Sequence, residues 1–154
     1  MFNETYGETT MTALVIDSQP LARLGMQRML ERMPGIGAVR AIDPAAIVAL
    51  ETSAEFALVV YGLSEDATDN WYLLRRLHQA LPNARILLLS SNIWLRVPAS
   101  LASCGVAAHL PKSASIERME AALLQMLGCE EFMSLSGSAN DGWRPAYYAR
   151  NIVL

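Results

Sequence analysis

Lysine is almost absent. Of twelve basic residues in 154, eleven are Arg and one, Lys112, is Lys. Charge of either sign is thin, at 18% of residues with a net of −3. That balance argues against a broad basic footprint for DNA or for an acidic membrane surface. Long apolar runs are missing as well, since none approaches the roughly 18–20 residues that span a bilayer. The opening MFNETYGETT carries two acids and no base, unlike a secretory signal. The chain therefore reads as cytoplasmic. Cysteine is scarce: Cys104 and Cys129 lie far apart, in no metal-ligand spacing, and read as small apolar residues. Catalytic motifs are lacking too. Gly35-Ile36-Gly37 follows a helix and lacks the third glycine of a dinucleotide loop. There is no Walker loop, nucleophile elbow or zinc spacing. An enzyme is not expected.

What is present is apolar sequence, 53% of the chain, enough for one domain with a sizeable core. Residues 1–11 read as a loose leader, 12–129 as the domain, and 130–154 as a linker with an apolar, aromatic tail. Residues 12–16 form an apolar run ending at Asp17 and read as a buried strand. Ser18 is expected to cap the next helix, with Pro20 in its first turn. Ala22, Met26, Met29, Leu30 and Met33 share one face of that helix, and Pro34-Gly35 stops it. Residues 38–42 predict a second strand and 45–51 a short helix opened by Asp43-Pro44. Residues 56–60 predict a third strand that delivers Tyr61. A polar loop over 64–70 leads to a helix with Leu73, Leu74, Leu77 and Leu81 inward, then a fourth strand over 85–89. Residues 93–103 predict a weak helix disturbed by Pro98, with Gly105 as its C-terminal turn. Residues 106–110 predict a fifth strand. Ser115 then caps a helix with Ile116, Met119, Leu123 and Met126 on one face.

Alternating apolar strands and amphipathic helices imply an α/β fold with an open, doubly wound, five-stranded parallel sheet. In such sheets ligands sit at the carboxyl ends of the strands. The residues there are Asp17-Ser18, Tyr61-Gly62, Ser90-Ser91 and Pro111-Lys112.

Over roughly residues 11–128 the chain resembles the receiver domain of bacterial response regulators, most closely the LuxR/NarL-type receivers. The resemblance runs through Val15-Ile16-Asp17-Ser18-Gln19-Pro20-Leu21, through Leu73-Leu74-Arg75-Arg76-Leu77 and through Ile86-Leu87-Leu88-Leu89-Ser90-Ser91. It ends in Gly105-Val106-Ala107-Ala108-His109-Leu110-Pro111-Lys112. It implies the CheY-like, flavodoxin-like arrangement of five βα units. It also implies a phosphorylation pocket: two acids after the first strand that help hold Mg²⁺, an acceptor aspartate after the third, Ser or Thr after the fourth, and Lys after the fifth.

This chain departs from that pattern. Asp17, Ser90 and Lys112 match, Ser18 stands for the second acid, and Tyr61 is expected where the acceptor aspartate would be. His109 takes the place of the aromatic switch residue. A phenol is neutral at pH 7 and forms no acyl phosphate. One acid facing one Lys leaves little call for a divalent cation, so Mg²⁺ binding is expected to be lost and no cofactor is implied. Asp17 reads either as a partner of Lys112 or as a plain helix N-terminal acid. His109 reads as a packing residue and Glu65 and Asp66 as solvated loop acids. The resemblance thus implies a pseudo-receiver in signal transduction or transcriptional regulation, working through a protein partner or a homodimer. Direct nucleic-acid or membrane binding by this chain is not expected. The alternative is the N-terminal receiver part of a LuxR/NarL-type DNA-binding regulator without its helix-turn-helix domain. In the tail, Trp143, Tyr147 and Tyr148 are candidate contacts with the domain, a second subunit or a partner.

Overall fold

The computed structural model describes residues 10–50, 55–65, 67–92, 94 and 96–128. Five strands, β1 (Met11–Ile16), β2 (Ile36–Ile42), β3 (Leu58–Gly62), β4 (Arg85–Ser90) and β5 (Val106–Pro111), form one parallel sheet in the order β2-β1-β3-β4-β5. Three α-helices, α1 (Pro20–Glu31), α2 (Ala67–Ala80) and α3 (Ile116–Met126), connect or follow the strands. This is the doubly wound, CheY-like, flavodoxin-like class. Its strand order reverses at β1/β3, which places a crevice at their carboxyl ends.

The strands are nearly all apolar because both faces of the sheet are covered. Side chains alternate between two cores. Ala13, Val15, Leu58, Val60, Leu87, Leu89, Ala108 and Leu110 pack with Met29 and Leu30 of α1 and Met119, Ala122 and Leu123 of α3. On the other face Leu14, Ile16, Val59, Tyr61, Ile86 and Leu88 pack with Leu74 and Leu77 of α2.

Two expected helices are short 3-10 segments instead. The Asp43-Pro44 start signal holds, since the Asp43 carboxylate accepts from the Ala45 amide at 2.9 Å. The segment then runs only from Pro44 to Ala49. The predicted helix over 93–103 contracts to Ala99–Cys104, with Pro98 at its N-cap. Pro98 restricts the residue before it and lacks an amide, so helix cannot extend back through it. Gly105 does end this segment, at φ 92°, and a Cβ there would approach the Ala84 carbonyl oxygen to 2.7 Å.

Other boundaries also moved. β3 begins and ends two residues later than expected, and β2 begins at Ile36. Ser115 caps α3 as expected, accepting from the Arg118 amide at 3.1 Å, whereas Ile116 at the first helical position is half exposed, not inward. Among the described residues no helix is long and apolar enough to cross a membrane.

Candidate functional site

The strand ends converge on an ion pair. Asp17 leaves β1 nearly fully buried, 2% exposed, although it carries a charge. A buried carboxylate needs compensation, and it has it. Lys112, just past β5, places its Nζ 3.0 Å from Asp17 Oδ2. The Gln19 amide donates to Asp17 Oδ1 at 2.8 Å. Lys112 Nζ also donates to Gln19 Oε1 at 3.4 Å, and its backbone amide donates to the Ser90 carbonyl at 2.8 Å. Arg23, reaching back from α1, donates to the Asp17 carbonyl at 2.6 Å and lies 3.9 Å from Asp43 Oδ2. Asp17 is thus both the start of the α1 turn and the partner of Lys112.

That arrangement displaces Ser18. The N-cap of α1 is Gln19, whose side chain makes no capping bond, and Ser18 is exposed. The Asp17 carboxylate holds the turn two residues on and leaves the serine nothing to cap.

Tyr61 is not at the pair. Because β3 continues to Gly62, Tyr61 stays in the ladder opposite Ile16 and Leu88 and points into the apolar core, 1% exposed. Burial, with the Asp69 and Asp17 carboxylates adding to it, holds its hydroxyl far above the ordinary phenol pKa, so it is neutral. The next residue lies on the opposite face of the pleat. A Cβ built on Gly62 would overlap the Asp17 carboxylate, coming within 2.7 Å of Cγ. Gly62, not Tyr61, is therefore the β3 position that faces Asp17 and Lys112. The sequence signal was available: a glycine ending an apolar strand marks close approach by another group.

Ser90 is 3% exposed, but its hydroxyl serves its own loop, accepting from the Asn92 amide at 3.0 Å and donating to the Asn92 carbonyl at 3.1 Å. His109, in β5, is half-buried, and burial lowers its pKa below 6.5. Asn70, missed from sequence, is 1% exposed in the first turn of α2. Its Oδ1 accepts from the Ser64 amide and hydroxyl at 2.9 and 3.2 Å, and its Nδ2 donates to the Ser64 carbonyl at 2.9 Å. It thereby fixes the loop after Gly62. Glu65 in that loop is exposed. Asp66, Trp143, Tyr147 and Tyr148 lie outside the described residues.

Among the described residues no three His, Cys, Asp or Glu side chains converge as a metal site. The Asp17 oxygens are engaged, Oδ1 with Gln19 and Oδ2 with Lys112, and Ser90 Oγ is engaged with Asn92. A hard cation wants several oxygen ligands, whereas the Asp17 carboxylate is already paired with Lys112 and Gln19.

No protein-family profile matches the chain. A "Ycf55-like protein" of Synechocystis is 28% identical over 123 residues, which is 77% of this chain and 22% of that protein. The chain thus spans about a fifth of the length of the curated relative it matches. Several solved structures share the fold. A signal receiver domain of an HD domain-containing protein from Pseudomonas fluorescens Pf-5 superposes with a TM-score of 0.64 and 26% identity, covering 79% of this chain and 98% of that one. A LuxR family DNA-binding response regulator from Silicibacter pomeroyi gives 0.59 and 23%, covering 77% and 92%. The signal receiver domain of the response regulator NarL from Mycobacterium tuberculosis gives 0.57 and 22%, covering 75% and 94%.

Proposed function

We propose that the chain is a receiver-like signalling module in which a fixed ion pair stands where receivers carry a phosphorylation pocket. It works by protein–protein contact, without phosphoryl transfer and without an enzymatic step of its own. The observation that supports this reading most strongly is the Asp17–Lys112 pair at 3.0 Å, with Gly62 as the facing β3 residue. An acyl phosphate needs a carboxylate on β3 pointing toward Lys112. Gly62 has no side chain, and Tyr61 is neutral and turned into the core. The lysine that would neutralise a phosphate is already neutralised by Asp17. Partner or self contact is then constitutive, through α3 or the β5 edge, and the protein acts in signal transduction or transcriptional regulation in the cytoplasm.

The test is intact-mass analysis after incubation with acetyl phosphate and Mg²⁺. No adduct is expected. A stoichiometric, hydroxylamine-labile phosphoryl adduct would refute the reading. Sedimentation of the wild-type protein should give one assembly state that ignores Mg²⁺ and beryllofluoride.

A second reading is favoured by the length of the relative: in the Synechocystis protein the matching stretch is one part of a much longer chain. The module would then be the receiver part of a larger regulator, and its contact surface would serve an attached domain. An open reading frame continuing beyond Leu154 into a helix-turn-helix stretch would decide for the DNA-binding version.

A further inference from the structure

At the opposite end of the sheet from Asp17, a cavity of about 270 Å³ opens between α3 and the β4–β5 edge. Arg85, Ala107, Ala122, Gln125 and Met126 line it. Ala107 of β5 and Ala122 of α3 contribute only methyl groups to its walls. Ala107 also falls at the irregularity where Ile86 pairs with Val106 and Leu87 already pairs with Ala108. Two polar features mark the cavity. Gln125 Oε1 is buried and, among the described residues, accepts no hydrogen bond. Arg85 donates to the Met126 carbonyl at the end of α3, which fixes its guanidinium as one wall.

A buried acceptor without a donor is costly, and native proteins rarely leave one. An occupant with an apolar body and one N–H or O–H donor would match this lining. We propose that Trp143 of this same chain docks there, its indole N–H donating to Gln125 Oε1. The indole ring nitrogen only donates, which matches an atom that only accepts. Trp is also the best aromatic partner for a guanidinium face, here that of Arg85.

The route is short. α3 ends at Met126, itself part of the cavity lining, and Gly128 turns the chain at φ 72°. The tail thus departs from the rim of the cavity. About 15 residues separate Gly128 from Trp143, enough to span roughly 50 Å when extended, so a return is within reach. Loop-closure cost rises only slowly with length, and tethering keeps the effective concentration of the ring high. The 129–142 stretch contains Ser134, Ser136, Gly137, Ser138 and Gly142, which permit a tight reversal. The proposal is independent of the Asp17–Lys112 chemistry.

NMR on the full chain tests it. The Trp143 indole resonances, identified by their loss in Trp143→Phe, should show NOEs to the methyl groups of Ala107, Ala122 and Met126. Trp143→Ala, which leaves the described core untouched, should speed chymotryptic cleavage after Tyr147 and Tyr148 about tenfold. Gln125→Leu, which removes the acceptor and keeps an apolar wall, should speed it severalfold. Absence of NOEs to the cavity methyls overturns the proposal. So do NOEs from another tail ring, or NOEs that mixed labelled and unlabelled samples show to be intermolecular.

Discussion

A single methyl group at position 62 has nowhere to go. Gly62→Ala puts Cβ into the Asp17 carboxylate, and either β3 or the Asp17–Lys112 pair must shift. Overpacking of this kind costs about 1–3 kcal/mol, read as a lower urea midpoint with an unchanged slope. Lys112→Met should cost more, about 3–5 kcal/mol, because it strands the buried Asp17 carboxylate without its partner. Tyr61→Asp separates the two placements of the β3 site. If residue 61 faced the pair, this change with Ser18→Asp would create a carboxylate cluster and Mg²⁺ would raise Tm. With Tyr61 in the core, the change only buries an unpaired acid, and Mg²⁺ gives no rescue. Mg²⁺-dependent stabilisation of the Ser18→Asp, Tyr61→Asp double variant would show the placement of Gly62 to be wrong.

The elements that the sequence made legible are those with many apolar positions in register. β1, β4, β5 and α3 stand within a residue or two of where periodicity put them, whereas α2 begins at Ala67, inside the stretch 64–70 expected to be a polar loop. The exceptions have local causes. β3 was expected to stop at Val60, because Tyr-Gly looks like a strand end. In fact the ladder to Ile16 and Leu88 carries Tyr61 along. That two-residue extension is what moved the site from Tyr61 to Gly62, since each residue reverses the face. The weak helix before β5 failed at Pro98. Asn70 was invisible because its role depends on Ser64 folding back onto α2, a contact without a periodic trace. Asn70→Ala should cost about 1–2 kcal/mol by removing its hydrogen bonds to the Ser64 amide and carbonyl, and hydrogen exchange should quicken at Ser64. Gly105→Ala should cost about 1–2 kcal/mol from its left-handed φ alone, before the encounter with the Ala84 carbonyl.

Across the whole molecule, two side chains of the sheet strands are expected to shape how stability depends on pH. Burial lowers the His109 pKa below 6.5. The folded state therefore resists protonation while the unfolded chain accepts it, and stability falls as pH drops below about 6.5, down to the folded pKa. Tyr61 acts at the alkaline end. Its pKa is raised, first by burial and then by Asp69 and Asp17, so the folded protein holds its proton where the unfolded chain loses it. Stability from this group is complete below about pH 10 and declines as pH rises beyond it. Chemical denaturation across the pH range should accordingly show a plateau near neutrality with two shoulders. His109→Leu should flatten the profile just below about pH 6.5, above the ordinary carboxylate range, and leave the alkaline shoulder in place. Tyr61→Phe should do the reverse. If His109→Leu left the acid shoulder unchanged, the falling limb would belong to the carboxylates, and His109 would be titrating as freely in the folded protein as in the unfolded chain.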